Sequence, residues 1–265
     1  MLFVVDVGNS HTVSGLYDRG RLLGCWRLQS HQDKTADELA LRYHGLFQMH
    51  KLDPAAIEGF VVASVVPTQE TSWLRFADTY LTRLKYPPLR VCADIQLDMG
   101  VEVEHPEEVG ADRLVNAVAA WEQIRAPLIV IDFGTAITFD CVNASPAYVG
   151  GTIHAGIGIS LDALASRTAK LPRLDINTTP AHPIGTTTVK AIHSGILYGF
   201  GGLIDRMVEV LGKELVPASG PVPTTIATGG MAALIKPYTQ RIDLIDEELT
   251  LKGLALLFER NKNHG

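Results

Sequence analysis

Apolar positions along this chain fall into short solid runs and spaced stripes, and their alternation predicts strands and helices in turn. The run LFVVDVG (Leu2 to Gly8) is too continuous for one face of a helix and ends in Asp-x-Gly. It leads into VSGLYDRGRLLGCWRL, where a turn cluster separates two apolar, β-branched segments. The same order returns 126 positions later: LIVIDFGTAIT (Leu128 to Thr138) repeats LFVVDVGNSHT (Leu2 to Thr12) with five of eleven positions identical. FDCVNASPAYVGGTI then supplies the second hairpin. The chain therefore reads as two similar halves, each opening on a strand and a hairpin.

The remaining pattern fills in helices around these strands. Thr35-Ala36-Asp37-Glu38 is a capping box opening a helix whose stripe is Leu39, Tyr43, Leu46 and Phe47. A strand is expected over Phe60 to Pro67. A helix from about Glu70 to Lys85 is closed by Pro87 and Pro88, and a strand lies near Leu89 to Cys92. Gly110 to Arg125 predicts a helix with Leu114, Val115, Val118 and Trp121 on one face and Asp112 and Arg113 in the first turn. In the second half, a helix is expected around Thr188 to Leu211, a strand, double glycine and helix start over Thr224 to Ile235, and a last helix from near Asp246 to Arg260. Strands alternating with helices imply mixed sheets covered by helices.

The Asp-x-Gly copies are not nucleotide motifs of the strand–loop–helix kind, since GxxxxGK[ST] and GxGxxG are both absent and the glycine sits in a hairpin. Gly8 and Gly134 let backbone amides approach a phosphate, and Asn9, Ser10, Thr12, Thr135 and Thr138 offer hydrogen-bonding side chains. Asp6 and Asp132 at the strand mouths suit a cation or its water shell. Taken singly, each Asp–Gly pair is accounted for by a tight turn; duplication favours phosphate binding. Gly229 and Gly230 fit a nucleobase or ribose lying close to backbone, and equally a plain βα turn. Asp112 is explained both as an acid stabilised at a helix N-terminus and as a base.

Bulk properties narrow the classes. With 46% apolar and 20% charged residues the chain is globular, and a net charge of −6 with pI near 5.8 argues against a nucleic-acid footprint. Its apolar runs are too short to span a bilayer or to form a secretory signal, so no membrane association and a cytoplasmic location are expected. Cys25, Cys92 and Cys141 lack CxxC spacing and read as small buried apolar residues. None of the nine histidines lies in HExxH; His11 falls in the first loop, while His154 and His193 read as packing or turn residues.

The ordered set DVGNS (Asp6 to Ser10), SVVP (Ser64 to Pro67), GADR (Gly110 to Arg113), IDFGTA (Ile131 to Ala136), KLP (Lys170 to Pro172), HSGILYG (His193 to Gly199) and ATGG (Ala227 to Gly230) closely resembles the type III pantothenate kinases. These belong to the acetate and sugar kinase, Hsp70 and actin superfamily. The resemblance implies an α/β fold of two similar ribonuclease H-like (actin/Hsp70-type) domains, each a mixed sheet flanked by helices, with a nucleotide cleft between them. The domains would cover 1–115 and 116–265, the last helix packing back on the first. It implies ATP-dependent phosphorylation of pantothenate, the first step of coenzyme A biosynthesis, with Mg²⁺, a monovalent cation (K⁺ or NH₄⁺) and a homodimer.

By the same resemblance Asp6, Val7, Gly8, Asn9, Ser10, His11, Thr12 and Val13 bind ATP phosphates, Thr135 contacts the nucleotide and Asp132 the monovalent cation; the chemistry of an acidic strand end beside phosphates further suits Asp6 to holding magnesium through water. Gly229 and Gly230 join the nucleotide set. Gly110, Ala111, Asp112 and Arg113 bind pantothenate, with Asp112 as proton acceptor. Thr188 is a further substrate contact, with Thr187 an alternative. Three positions depart from the family: Val103 replaces a common Tyr that touches substrate, Ala155 a common Pro, and His11 a frequent Asn. The alternatives are a catalytically idle regulatory or transcription-accessory relative, and another phosphotransferase of the same fold.

Overall fold

The computed structural model describes residues 1–30, 34–176, 182–216, 220 and 222–263. Two compact units emerge: residues 1–122 with 248–265, and residues 123–247.

In the first unit β1 (Leu2–Val7), β2 (His11–Asp18) and β3 (Arg21–Gln29) form an antiparallel meander. β4 (Gly59–Ser64) joins β1 in parallel, and β5 (Leu89–Arg90) joins β4, giving the order β3-β2-β1-β4-β5. β1 and β4 are solidly apolar because both faces are covered. α1 (Ala36–Met49) and α2 (Pro67–Tyr80) cover one face, where Phe3, Tyr43, Phe47, Phe60, Trp73 and Phe76 form a ring-on-ring core. The other face receives the last helix, α7 (Leu249–Asn261), whose Phe258 ring seats against Gly59. Thr250 Oγ1 donates to Asn116 Oδ1 at 2.7 Å, and Arg260 pairs with Asp98 and Glu122. β6 (Gly100–Val101) and α3 (Ala111–Ile124) complete the series, α3 being buried over most of its circumference.

The second unit repeats the plan. β7 (Leu128–Phe133), β8 (Ala136–Val142) and β9 (Ala147–Ala155) are antiparallel. β10 (Thr224–Thr228) joins β7 in parallel and β11 (Leu244–Ile245) joins β10, so the strands follow β9-β8-β7-β10-β11. α4 (Ile157–Arg167), α5 (Thr188–Leu215) and the short α6 (Ala232–Ile235) belong to this unit, and its core is mainly aliphatic, built on Ile129, Ile131, Ile137, Leu197, Ile204 and Val208.

The Thr35 capping box is present, with Glu38 N–H on Thr35 Oγ1 and Glu38 Oε2 accepting from Thr35 N–H. Elsewhere the local chemistry moves the expected limits. β4 stops at Ser64, whose hydroxyl bonds both the N–H and the carbonyl of Val66, and Pro67 opens α2 at a position where its missing N–H costs nothing. α2 ends near Leu81, well before Lys85, whose N–H is drawn to Glu58 O at 2.8 Å. α4 was not foreseen in the glycine-rich stretch GGTIHAGIGIS, and α5 runs four residues past Leu211. Only Cys141 is buried; Cys25 is exposed on β3, and Cys92 is half-buried.

One difference separates the repeats. The first hairpin closes at Gly8 and His11, with Gly8 N–H on His11 O at 3.0 Å, and Asp6 lies opposite Val13. The second pairs Phe133 with Ile137 and Asp132 with Thr138, so its loop is one residue shorter. Thr12 and Thr138, aligned by identity, therefore point to opposite faces of their sheets. Thr12 shares the Phe3–Val5–Val7 face with Ser14, whereas Thr138 shares the face of Asp132 with Asp140.

Candidate functional site

In the first unit the loop after β1 and the start of α3 are neighbours. Val65, just beyond β4, donates its N–H to Val7 O at 3.1 Å, and a methyl built on Gly110 would stand 3.6 Å from Val65 Cγ1. The segment Gly110–Arg113 is thereby brought beside Asp6–Gly8. The same methyl would lie 2.5 Å from Asp112 Oδ1, so a side chain at 110 would push that carboxylate from its place. The carboxylate curls over the helix start and accepts Arg113 N–H at 2.8 Å. Burial pushes the Asp112 pKa up, against the opposing pull of the Arg113 N–H and guanidinium. A partly desolvated carboxylate at a helix mouth is a stronger base than a solvated one.

Around that loop the candidate ligands divide. Asp6 is half-buried at the end of β1, flanked by Val13 and Ala63. Asn9 and His11 are exposed, and Ser10 is half-buried, its carbonyl accepting Ser30 N–H at 2.9 Å. Thr12 is buried on the far face, its hydroxyl 2.9 Å from Ser30 Oγ, so the face of Asp6 receives Val13 instead.

In the second unit Asp132 ends β7 between Thr138 and the buried Thr228. Gly229 closes over it with φ +88°, and a methyl there would meet Phe133 O at 2.6 Å and Asp132 Oδ1 at 2.8 Å. This is a left-handed position with backbone against a carboxylate, which only glycine fills without strain. Gly156 N–H donates to Thr135 O at 3.2 Å, fastening the loop that carries Gly134 and the exposed Thr135. Gly230 is exposed beside this turn. Asp132, Thr135 and Gly229 thus converge. Thr187 is the N-cap of α5, accepting Lys190 N–H at 3.3 Å, which leaves the exposed Thr188 hydroxyl uncommitted to capping.

Three residues escaped the sequence reading. Thr228 and Ser30 carry no local motif, and Asp140 stood inside an apolar strand with only its alternation with Thr138 to mark it. Among the described residues no group of three or more His, Cys, Asp or Glu could hold a metal ion. Among the same residues no helix is long and apolar enough to cross a membrane.

Two mixed sheets that share one order of five strands, each flanked by helices and each with an Asp-x-Gly hairpin at its centre, define the acetate and sugar kinase, Hsp70 and actin class of fold. Two solved structures share it. A Campylobacter jejuni protein assigned to the Baf family of transcriptional activators matches with a TM-score of 0.57 and 16% identity, over 98% of this chain and 99% of that one. A Sinorhizobium meliloti protein assigned as a 2-dehydro-3-deoxygalactonokinase matches with a TM-score of 0.55 and 13% identity, over 98% of each chain. Within that class the sequence is specific: the model of the type III pantothenate kinase family matches residues 2–210. A Desulfotalea psychrophila type III pantothenate kinase is 50% identical over 99% of both chains, and one from Anaeromyxobacter is 45% identical over 99% of this chain and 100% of that one. The chain belongs to the type III pantothenate kinase family, and its reaction is the ATP- and Mg²⁺-dependent phosphorylation of pantothenate in coenzyme A biosynthesis.

Proposed function

We propose that Asp112 accepts the proton of the pantothenate primary hydroxyl as that oxygen attacks the γ-phosphorus of ATP, with Gly110, Ala111 and Arg113 holding pantothenate. The supporting observation is the packing of Gly110 on Val65 next to Val7, which sets the raised-pKa carboxylate beside the Asp6–Val13 phosphate loop. Phosphoryl transfer leaves the protein the tasks of positioning and charge neutralisation. Loop amides from Val7 to Val13, with Asn9, Ser10 and His11 at the rim, grip phosphate oxygens; Thr12 contributes backbone, its hydroxyl being engaged with Ser30. Magnesium, when bound to the phosphates, neutralises their charge, and Asp6 orients its water shell. Arg113 offers a planar fork to substrate oxygens.

In the second unit Thr135, Gly229 and Gly230 contact the nucleotide, and Asp132 binds a monovalent cation, a role suited to one carboxylate among hydroxyls and carbonyls. Thr188 contacts pantothenate. The chain acts as a homodimer in the cytoplasm. The α4–α5 surface supports the dimer, with an apolar groove of about 470 Å³ lined by Leu164, Ile196, Phe200 and Leu203. A panel of alcohol acceptors tests the assignment of the Asp112 segment: ADP release is expected with pantothenate and lost in Arg113→Ala. Equal turnover of pantothenate by that variant refutes the role given to Gly110–Arg113.

A further inference from the structure

The face of the second sheet that carries Asp132 also carries a carboxylate that no step above employs. Asp140, in the middle of β8, is fully buried; Thr138 Oγ1 donates to its Oδ2 at 2.8 Å and Tyr148 OH donates to its Oδ1 at 2.9 Å. A carboxyl group is placed there at a desolvation cost that these two hydrogen bonds offset.

Its consequence falls on Thr138. A threonine hydroxyl has one proton and two lone pairs. The proton of Thr138 is committed to Asp140, so the hydroxyl can present only lone pairs to its other neighbours. One of those neighbours is Asp132, directly opposite in the antiparallel ladder. Such partners place their Cβ atoms about 4.5–5.5 Å apart on one face. A carboxylate and an oriented hydroxyl oxygen are thus set side by side as two acceptors, an arrangement that calls for a positive centre. The first repeat lacks it: Asp6 faces Val13, and Gly15 stands where Asp140 does structurally.

We infer that Thr138 Oγ1 is a second oxygen ligand of the monovalent cation at Asp132, and that Asp140 is the positioning residue that turns its lone pairs toward that cation. The inference rests on the cation role proposed for Asp132. A potassium-sized ion accepts mixed carboxylate and hydroxyl oxygens without strict geometry, and a hydroxyl held by a carboxylate is the better donor of lone pairs.

The test is ATP binding by calorimetry in buffers titrated from zero to saturating K⁺, on wild type, Thr138→Val, Thr138→Ser and Asp140→Asn. Thr138→Val keeps the shape of the side chain and removes the oxygen, whereas Thr138→Ser keeps the oxygen. The K⁺ concentration for half-maximal enhancement of ATP binding should rise about tenfold or more in Thr138→Val and in Asp140→Asn, and stay within about threefold of wild type in Thr138→Ser. Unfolding midpoints in K⁺-free buffer identify any variant that misfolds; should Asp140→Asn do so, the half-exposed position 138 decides through its Val and Ser pair. Unchanged half-points in folded Thr138→Val, with wild type responding to K⁺, overturn the ligand assignment alone. ATP binding by wild type that ignores K⁺ overturns the Asp132 cation reading and this one with it.

Discussion

Replacing Asp112 by Asn separates the two accounts of this residue, because they predict different turnover at the same stability. As a helix-start acceptor Asp112 uses one oxygen, Oδ1, on Arg113 N–H at 2.8 Å, and Asn supplies the same acceptor. Capping alone therefore predicts little change in turnover. The carboxyl pKa lies above the ordinary aspartate value of 3.8, chiefly through burial. An acid whose folded pKa is raised ionises more readily in the unfolded chain. Its penalty is absent below the unfolded pKa, grows as pH rises toward the folded pKa, and is fully present above it. Asp112→Asn removes the penalty, so at neutral pH the variant should be as stable as wild type or more so, and that advantage should vanish on titrating toward pH 4. Turnover should move the other way: a positioned base contributes about 10²- to 10⁴-fold, or about 2.7–5.5 kcal/mol of barrier. Steady-state kcat with pantothenate, ATP affinity by calorimetry, and urea unfolding at pH 4 and pH 7 supply the measurements. Retention of more than about a tenth of wild-type kcat, roughly 1.4 kcal/mol, would refute the proton-acceptor role. So would a loss of stability at neutral pH that accounts for the lost turnover.

Gly229→Ala imposes a left-handed backbone on a residue with a Cβ and drives that atom against Phe133 O and Asp132 Oδ1. The backbone alone costs about 1–2 kcal/mol, and a melting midpoint several degrees lower with weakened ATP binding is expected; an unshifted scan contradicts the geometry. Thr187→Ala should cost about 0.5–2 kcal/mol through its lost N-cap. Thr188→Ala should leave the melting midpoint in place and raise the KM for pantothenate, and the reverse pattern would exchange their roles. Light scattering at assay concentration should return twice the chain mass, and Phe200→Asp, at the floor of the α4–α5 groove, should shift it toward monomer.

Much of this was legible from the chain because the informative elements are governed locally. Solid runs ending in Asp-x-Gly announce buried strands entering hairpins, and Thr35 with Glu38 writes a helix start into four residues. The limits of β4 and α2 were misplaced because Pro67 stops a strand and starts a helix equally well; the deciding contact, Ser64 on Val66, is a side-chain bond. α4 was hidden because glycines at 156 and 158 lower its intrinsic helicity, and burial of Ile157 and Leu161 carries it instead. At the site, the segments around Asp6, Asp112 and Asp132 carried their own signatures. Asp140 did not, since its meaning depends on which way a strand faces, and that follows from the length of a loop.

That loop length gives the two halves different chemistry without requiring many substitutions. Strand side chains alternate with a period of two, so pairing that begins one residue earlier in the second hairpin, at the same spacing from Asp to Thr, turns Thr138 to the face opposite that of Thr12. A residue added after Gly134 would give the second hairpin the four-residue loop of the first and leave Ile137 opposite Phe133, with Asp140 still on the face of Asp132. The second hairpin thereby sets Thr138 and Asp140 on the face of Asp132 where the first sets Val13 and Gly15 on the face of Asp6, so point changes at 138 and 140 should be felt more than an added residue in the turn.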